Sequence, residues 1–178
     1  MKAIDWSKVS PAMEGERLPV GGYLVQILRA TDVPQKEYLL VEYDIVCGEY
    51  KGYFRKLHNS FGKWNGKLYR SYKEKAQGMF KSFLDAVEGS NDGYKFNNNE
   101  NTLVGKFLGL VMGEEEYFDD YGRPRTSIKP MQCKTVEAIR AGNFKVPEPK
   151  RLSPEKIAEV SNLSTDTLPD FEDEELPF

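Results

Sequence analysis

A chain of 178 residues with 39% hydrophobic and 12% aromatic residues is long enough for one domain with its own core plus a tail. Its 30% charged residues and the lack of any long apolar run exclude a membrane span. The net charge of −3 is unevenly spread: residues 164–178 hold six acids and no base, so the rest of the chain stands at +3, the balance expected of a polyanion binder with an acidic interaction segment.

The opening MKAIDWSKVSPAMEG has one early lysine and no apolar stretch, so neither a secretory signal nor a transit peptide is expected, and the cytoplasm is the predicted compartment. Cys47 and Cys133 lie in no CxxC spacing; both are expected to act as small core residues, with no zinc site and no other cofactor.

After Val20-Gly21-Gly22, where the glycines allow a bend, Tyr23 to Leu28 reads as the first strand. Thr31 to Lys36 is a turn. Tyr38 to Cys47 is the second strand, with Leu39, Val41, Tyr43, Ile45 and Cys47 on one face and Glu42 and Asp44 on the other. Gly48-Glu49 then turns into a third strand, Tyr50 to Leu57, as a hairpin, and Asn59 to Asn65 reads as loop.

From Ser71 to Val87 the period becomes helical, through Tyr72, Ala76, Met79, Phe80, Phe83, Leu84 and Val87, and Gly89 is expected to stop the helix. A polar loop, Ser90 to Asn101, leads to a strand at Thr102 to Met112. Gly105 and Gly109 share one of its faces, which predicts a close approach by another backbone or a sharp bend. Gly113 to Pro124 reads as an acidic loop turning at Tyr121-Gly122, Arg125 to Cys133 as a fifth strand, and Thr135 as the cap of a short helix ended by Gly142.

Across these elements runs one stretch of unusual chemistry, Lys51 to Lys75. It holds eight Lys or Arg against one acid, Glu74, with six large rings between them. A core would not accept the cations, and a merely solvated surface has no use for the rings. Single-stranded nucleic acid uses both, since cations follow the phosphates while rings stack on unpaired bases. The candidate contacts are Lys51, Tyr53, Phe54, Arg55, Lys56, Phe61, Lys63, Trp64, Lys67, Tyr69 and Arg70. The competing reading is a strand and loop whose rings are half core and whose lysines are solvated.

The order β-β-β-α-β-β is that of a mainly-β, five-stranded Greek-key barrel of the oligonucleotide-binding type, with its helix between strands three and four and its ligand across strands two and three. Residues 1–145 are assigned to that domain. Residues 146–178, with scattered prolines and an acidic run, are predicted to be a disordered tail in which Ser153-Pro154-Glu155 caps one helical turn.

The segment Asp170-Phe171-Glu172-Asp173-Glu174-Glu175-Leu176-Pro177-Phe178 resembles the acidic C-terminal tip of bacterial single-stranded DNA-binding proteins. The body, through GGYLVQILRATDVPQKEYLLVEYDI, LVGKFLGLVMGEEEY and AIRAGNFKVPE, resembles single-stranded DNA-binding proteins encoded by phages and prophages of Gram-positive hosts. Residues 1–145 lack the motifs of the bacterial cellular proteins, so no base-stacking position transfers. The tip does transfer. It implies that Phe178 docks in an apolar pocket on replication, recombination and repair proteins, with Phe171, Leu176 and Pro177 beside it and Asp170, Asp173 and Glu175 on a basic rim. The resemblance implies a protein that coats single strands in the host cytoplasm.

Other classes are weaker on the residues. A nuclease needs a base or metal carboxylates, but the single histidine, His58, has no organised partner in KLHNSF, and the run holding Glu114, Glu115, Glu116, Asp119 and Asp120 marks a solvated loop rather than a Mg²⁺ site. No phosphate-loop or dinucleotide glycine motif is present in the sequence. A strand-annealing protein or recombinase loader would use the same basic surface and add ring or filament assembly. The oligomeric state stays open at this stage, a homodimer included.

Overall fold

A computed structural model describes residues 17–165 of the chain, with side chains to residue 159. It places β1 at Gly21–Val33, β2 at Tyr38–Ile45, α1 at Tyr53–Phe61, β3 at Lys67–Ser71, α2 at Gln77–Ser90, β4 at Phe107–Phe118, β5 at Pro124–Lys134, α3 at Val136–Arg140 and α4 at Pro154–Thr165. The strands form one five-stranded antiparallel sheet in the order β3-β2-β1-β4-β5. The fold is mainly β. No helix among the described residues is long and apolar enough to cross a membrane.

The described chain divides into two compact units, the first containing residues 17–113 and 128–147. Its core follows from strict alternation. Leu39, Val41, Tyr43 and Ile45 of β2 are all at most 3% exposed, as the period-two pattern predicts. Val25 and Ile27 of β1 and Leu108, Leu110 and Met112 of β4 share that face. Phe83 and Val87 from α2 close over it, with Leu103 from the turn before β4. Each such side chain contributes about 1.5–3 kcal/mol on burial. β1 serves both neighbours, pairing with β4 from Gly21 to Gln26 and with β2 from Val25 to Val33, and a bulge between Ile27 and Arg29 interrupts the ladder with β2.

Within this unit a side-chain contact links the two edge strands of the sheet. The Arg70 guanidinium on β3 donates through Nη2 to Sγ of Cys133 on β5, 3.1 Å away. On the opposite face α3 lies against β1 and β4. A β-carbon at Gly109 would stand 3.0 and 3.1 Å from the carbonyl oxygens of Thr135 and Lys134 and would collide with Ile139. This is the backbone approach expected at Gly109; Gly105, by contrast, lies before β4 at positive φ with open space where a Cβ would stand, so the two glycines do not share a strand face. The Thr135 hydroxyl accepts from the Ala138 N–H at 3.1 Å and caps α3 as expected.

Several elements differ from expectation. The third strand is not Tyr50 to Leu57. That segment turns through Gly48 and Gly52, both at positive φ, and enters α1, which ends at Gly62 in the left-handed region. The apolar positions 53, 54, 57 and 61 fit a helix face, and both terminal glycines suit its ends. Asp44, expected to face outward, is 5% exposed because its Oδ1 accepts from the N–H of Phe54 at 3.0 Å and of Ile45 at 2.9 Å, satisfying the first turn of α1. Cys47 is exposed rather than core, since β2 ends at Ile45. β4 starts later than Thr102 because a 3₁₀ turn at Glu100–Leu103 and Gly105 at φ +82° hold that part off the sheet. Gly89 does not stop α2, which runs on to Ser90.

The second unit contains residues 114–127 and 148–165. The stretch expected as an acidic loop is instead the outer half of the β4–β5 hairpin. Lys150 forms a parallel bridge to Glu115, with Lys150 N–H donating to Glu114 O at 2.8 Å and Glu116 N–H to Lys150 O at 2.9 Å. Glu115 pairs with the Lys150 ammonium, and Glu114 and Glu116 both pair with the Arg151 guanidinium, which explains three consecutive acids in a strand. Ser153-Pro154-Glu155 opens twelve residues of helix rather than one turn.

The hairpin turn is held by Asp119, whose carboxylate accepts from the N–H of Tyr121 and Arg123 and from Nε of Arg123 and Arg125. The Arg123 N–H, with help from Arg125 and Tyr121, pulls its carboxyl from the ordinary 3.8 to about 2. A pKa lowered by folding stabilises above the unfolded value and is lost as pH falls through the folded one. Protection of the Arg123 amide, taken relative to its intrinsic exchange rate at each pH, should therefore hold through pH 4 and fall on approach to pH 2; protection already lost at pH 4 would show that the carboxylate does not hold the turn.

Candidate nucleic-acid interface

The eleven sequence-predicted contacts divide into three groups. On α1 and its flanking loops, Lys51, Arg55, Lys56, Phe61 and Lys63 are exposed, Phe61 at 62%. Arg55 and Lys56 lie on the solvent side of this amphipathic helix, whereas Phe61 continues the apolar face to the last residue of α1, where it is left in solvent. Phe54, by contrast, is core: its ring meets Tyr43 edge-on at 5.3 Å and Tyr53 at 5.2 Å. Tyr53 is half-buried and packed against the same cluster.

Trp64 is not the free loop ring that its glycine and asparagine neighbours imply. Its indole N–H donates to Gly66 O at 3.1 Å, the ring lies 5.7 Å from His58, and it packs on the core. The loop is tight because Gly66 O accepts from the Tyr43 N–H at 2.9 Å, and a side chain at Gly66 would strike Tyr43 O and the Phe54 ring.

β3 carries the third group, and alternation sorts it. Leu68 and Arg70 stand opposite Val41 and Leu39 and point inward with them, whereas Lys67, Tyr69 and Ser71 share the outer face with Glu42, Leu40 and Tyr38. Tyr69 is 54% exposed, and its ring meets Tyr38 edge-on at 5.5 Å. Arg29 on β1 extends this face, its Nε 3.5 Å from Glu42 Oε2, and Lys67 stands opposite Glu42 in register. Arg70 is buried at 7% exposure and is not part of it.

Sequence reasoning missed Tyr38, Leu40 and Arg29. The signal was present, because Tyr38 and Leu40 lie in phase with Glu42, opposite to the core run, and two apolar residues on the outward phase of a half-buried strand ask for a partner. Of the acids weighed as metal ligands, Glu115 and Glu116 face Lys150 and Arg151, and Asp119 faces two arginines.

This face can offer exposed rings and cations to an extended polyanion. Phe178, Pro177, Leu176, Phe171 and the acids Asp170, Asp173 and Glu175 lie outside the described residues. No family model matches the chain, and no curated protein matches its sequence.

Proposed function

We propose that this chain is a sequence-independent single-stranded DNA-binding protein that coats strands during phage replication or recombination, built on an oligonucleotide-binding type of barrel. The observation that carries the reading is the outer face of β2 and β3, where the exposed Tyr69 ring, supported edge-on by Tyr38, stands opposite Leu40 beside the cross-strand row Lys67–Glu42–Arg29, in which two cations flank one acid. A base stacked on such a ring adds about 1–3 kcal/mol whatever its identity. The strand order and the Arg70–Cys133 contact, which joins the two ends of the sheet, support the barrel. The exposed cations of α1 supply further phosphate contacts. Docking of replication proteins on the acidic segment Asp170–Phe178 completes the proposal, with 1–145 as the DNA-binding body and 146–178 as the recruiting tail.

The test is fluorescence anisotropy with a labelled oligo-dT and a duplex of equal length. The oligo-dT should bind more tightly, and its affinity should fall with salt at a log–log slope of about −0.7 per phosphate neutralised. Equal affinity for both, or a slope near zero, overturns the reading.

A further inference from the structure

Arg70 is a cation in the wrong place for a surface contact. Its strand has five residues, and alternation sends Arg70 inward beside Leu68. There it is 7% exposed, its Nη1 donates to Tyr69 O at 3.1 Å, its Nη2 reaches Cys133 Sγ, and its Nε has no hydrogen-bond partner. Among the described residues it has no carboxylate in an ion pair. Burial, opposed by the neighbouring Arg70, keeps the Cys133 thiol above its ordinary range, so the sulfur supplies no negative charge. A buried guanidinium whose hydrogen bonds among the described residues go to one carbonyl and one thiol is a costly arrangement, because desolvating a charge needs a counter-charge to offset it.

Arg70 also lines a cavity of about 220 Å³ bounded by β3, β5 and α2, together with Met79, Ser82, Met131, Gln132, Cys133 and Lys134. Its walls contain two cations and no acid. Met79 and Ser82, on α2, are exposed, so the cavity opens to solvent. At roughly 30 Å³ per water, its volume exceeds several water molecules and admits a small tetrahedral anion. Guanidinium groups bind phosphate oxygens with paired, charge-assisted N–H donors, and Lys134 and Gln132 of β5, which line the same cavity, carry further donor groups.

We propose that this cavity is a phosphate-binding site, with Arg70 as its anchor and Lys134 as its second cation. The site accepts phosphate chemistry from either of two sources, a free phosphate ion or a phosphate group of a nucleic acid. It does not depend on the single-strand reading, since the free ion tests it without DNA.

The experiment uses the full chain. Inorganic phosphate is titrated at constant ionic strength against chloride, following ¹H–¹⁵N shifts of residues 131–134 and 70 and the melting temperature. In parallel, oligo-dT with and without a 5′-phosphate is compared by anisotropy. The expected results are saturable shifts and a raised melting temperature with phosphate, and loss of both in Arg70→Leu. Arg70→Leu should fold at least as well as the parent in phosphate-free buffer, because an apolar residue relieves the unpaired charge. Phosphate affinity should fall at least about tenfold in Arg70→Leu, as expected for a lost charge-assisted contact, and less in Lys134→Gln. If Arg70→Leu does not fold, Lys134→Gln and Gln132→Ala carry the test, each weakening phosphate binding with the fold unchanged. If the free ion does not bind but a 5′-phosphate strengthens oligonucleotide binding in a manner sensitive to these substitutions, the site stands and its source is nucleic acid. If neither form of phosphate shows a response that these substitutions change, the proposal is overturned.

Discussion

Replacing Phe54 by Ala should lower the free energy of unfolding by about 3–5 kcal/mol, the range for truncating a buried aromatic ring. The ring is 7% exposed, meets Tyr43 and Tyr53 edge-on, and lies against Gly66 where no side chain is tolerated. Removing it opens a cavity beneath α1 at the point where Asp44 holds the first turn. Phe61, seven residues along the same helix and 62% exposed, is the control: its truncation should change stability by no more than about 0.5 kcal/mol. Chemical denaturation of the two variants separates them. If Phe54→Ala melts with the parent and loses nucleic-acid affinity instead, its ring leaves the core to meet ligand, and the division of the stretch into core and surface rings given above fails.

That contrast marks what the sequence could and could not say. The inward run Leu39, Val41, Tyr43, Ile45 was legible because period-two alternation over a half-buried strand has one solution. The cap at Thr135, the glycine at 109 and the helix through Phe83 and Val87 were legible for the same local reason. The segment 50–61 was misread because Tyr50, Tyr53 and Phe54 favour strands by type, while their spacing with Leu57 and Phe61 favours a helix; spacing prevailed because only the helix lets Phe54 and Leu57 reach the core together. Shifting the third strand to Lys67–Ser71 then decided the fate of its cations. Counting charges placed Arg70 with Lys67, whereas alternation places it with Leu68, and a count has no phase. The Asp44 contact with Phe54 and the meeting of Arg70 with Cys133 are products of tertiary structure, across 10 and 63 residues, and no local pattern encodes them.

The outer face gives the second large effect. Tyr69→Ala should weaken oligo-dT binding by about 1–3 kcal/mol, or roughly five- to 150-fold, with the melting temperature nearly unchanged, because the ring is half in solvent and stands away from the core. Tyr69→Phe should keep most of the affinity, since stacking needs the ring rather than the hydroxyl. Lys67→Ala should leave stacking intact and reduce the magnitude of the salt slope by about 0.7, the signature of one lost phosphate contact. Tyr38 acts through Tyr69: their edge-to-face contact fixes the plane on which a base would lie, and such pairs couple by about 0.5–1.5 kcal/mol. A double-mutant cycle on binding should therefore show Tyr38→Ala costing less once Tyr69 is already absent. Additive losses would mean that each ring contacts DNA separately. Unchanged binding in Tyr69→Ala, Tyr38→Ala and Lys67→Ala alike would remove this face from the interface and leave the exposed side of α1, with Arg55, Lys56 and Phe61, as the surface on which the proposed activity must rest.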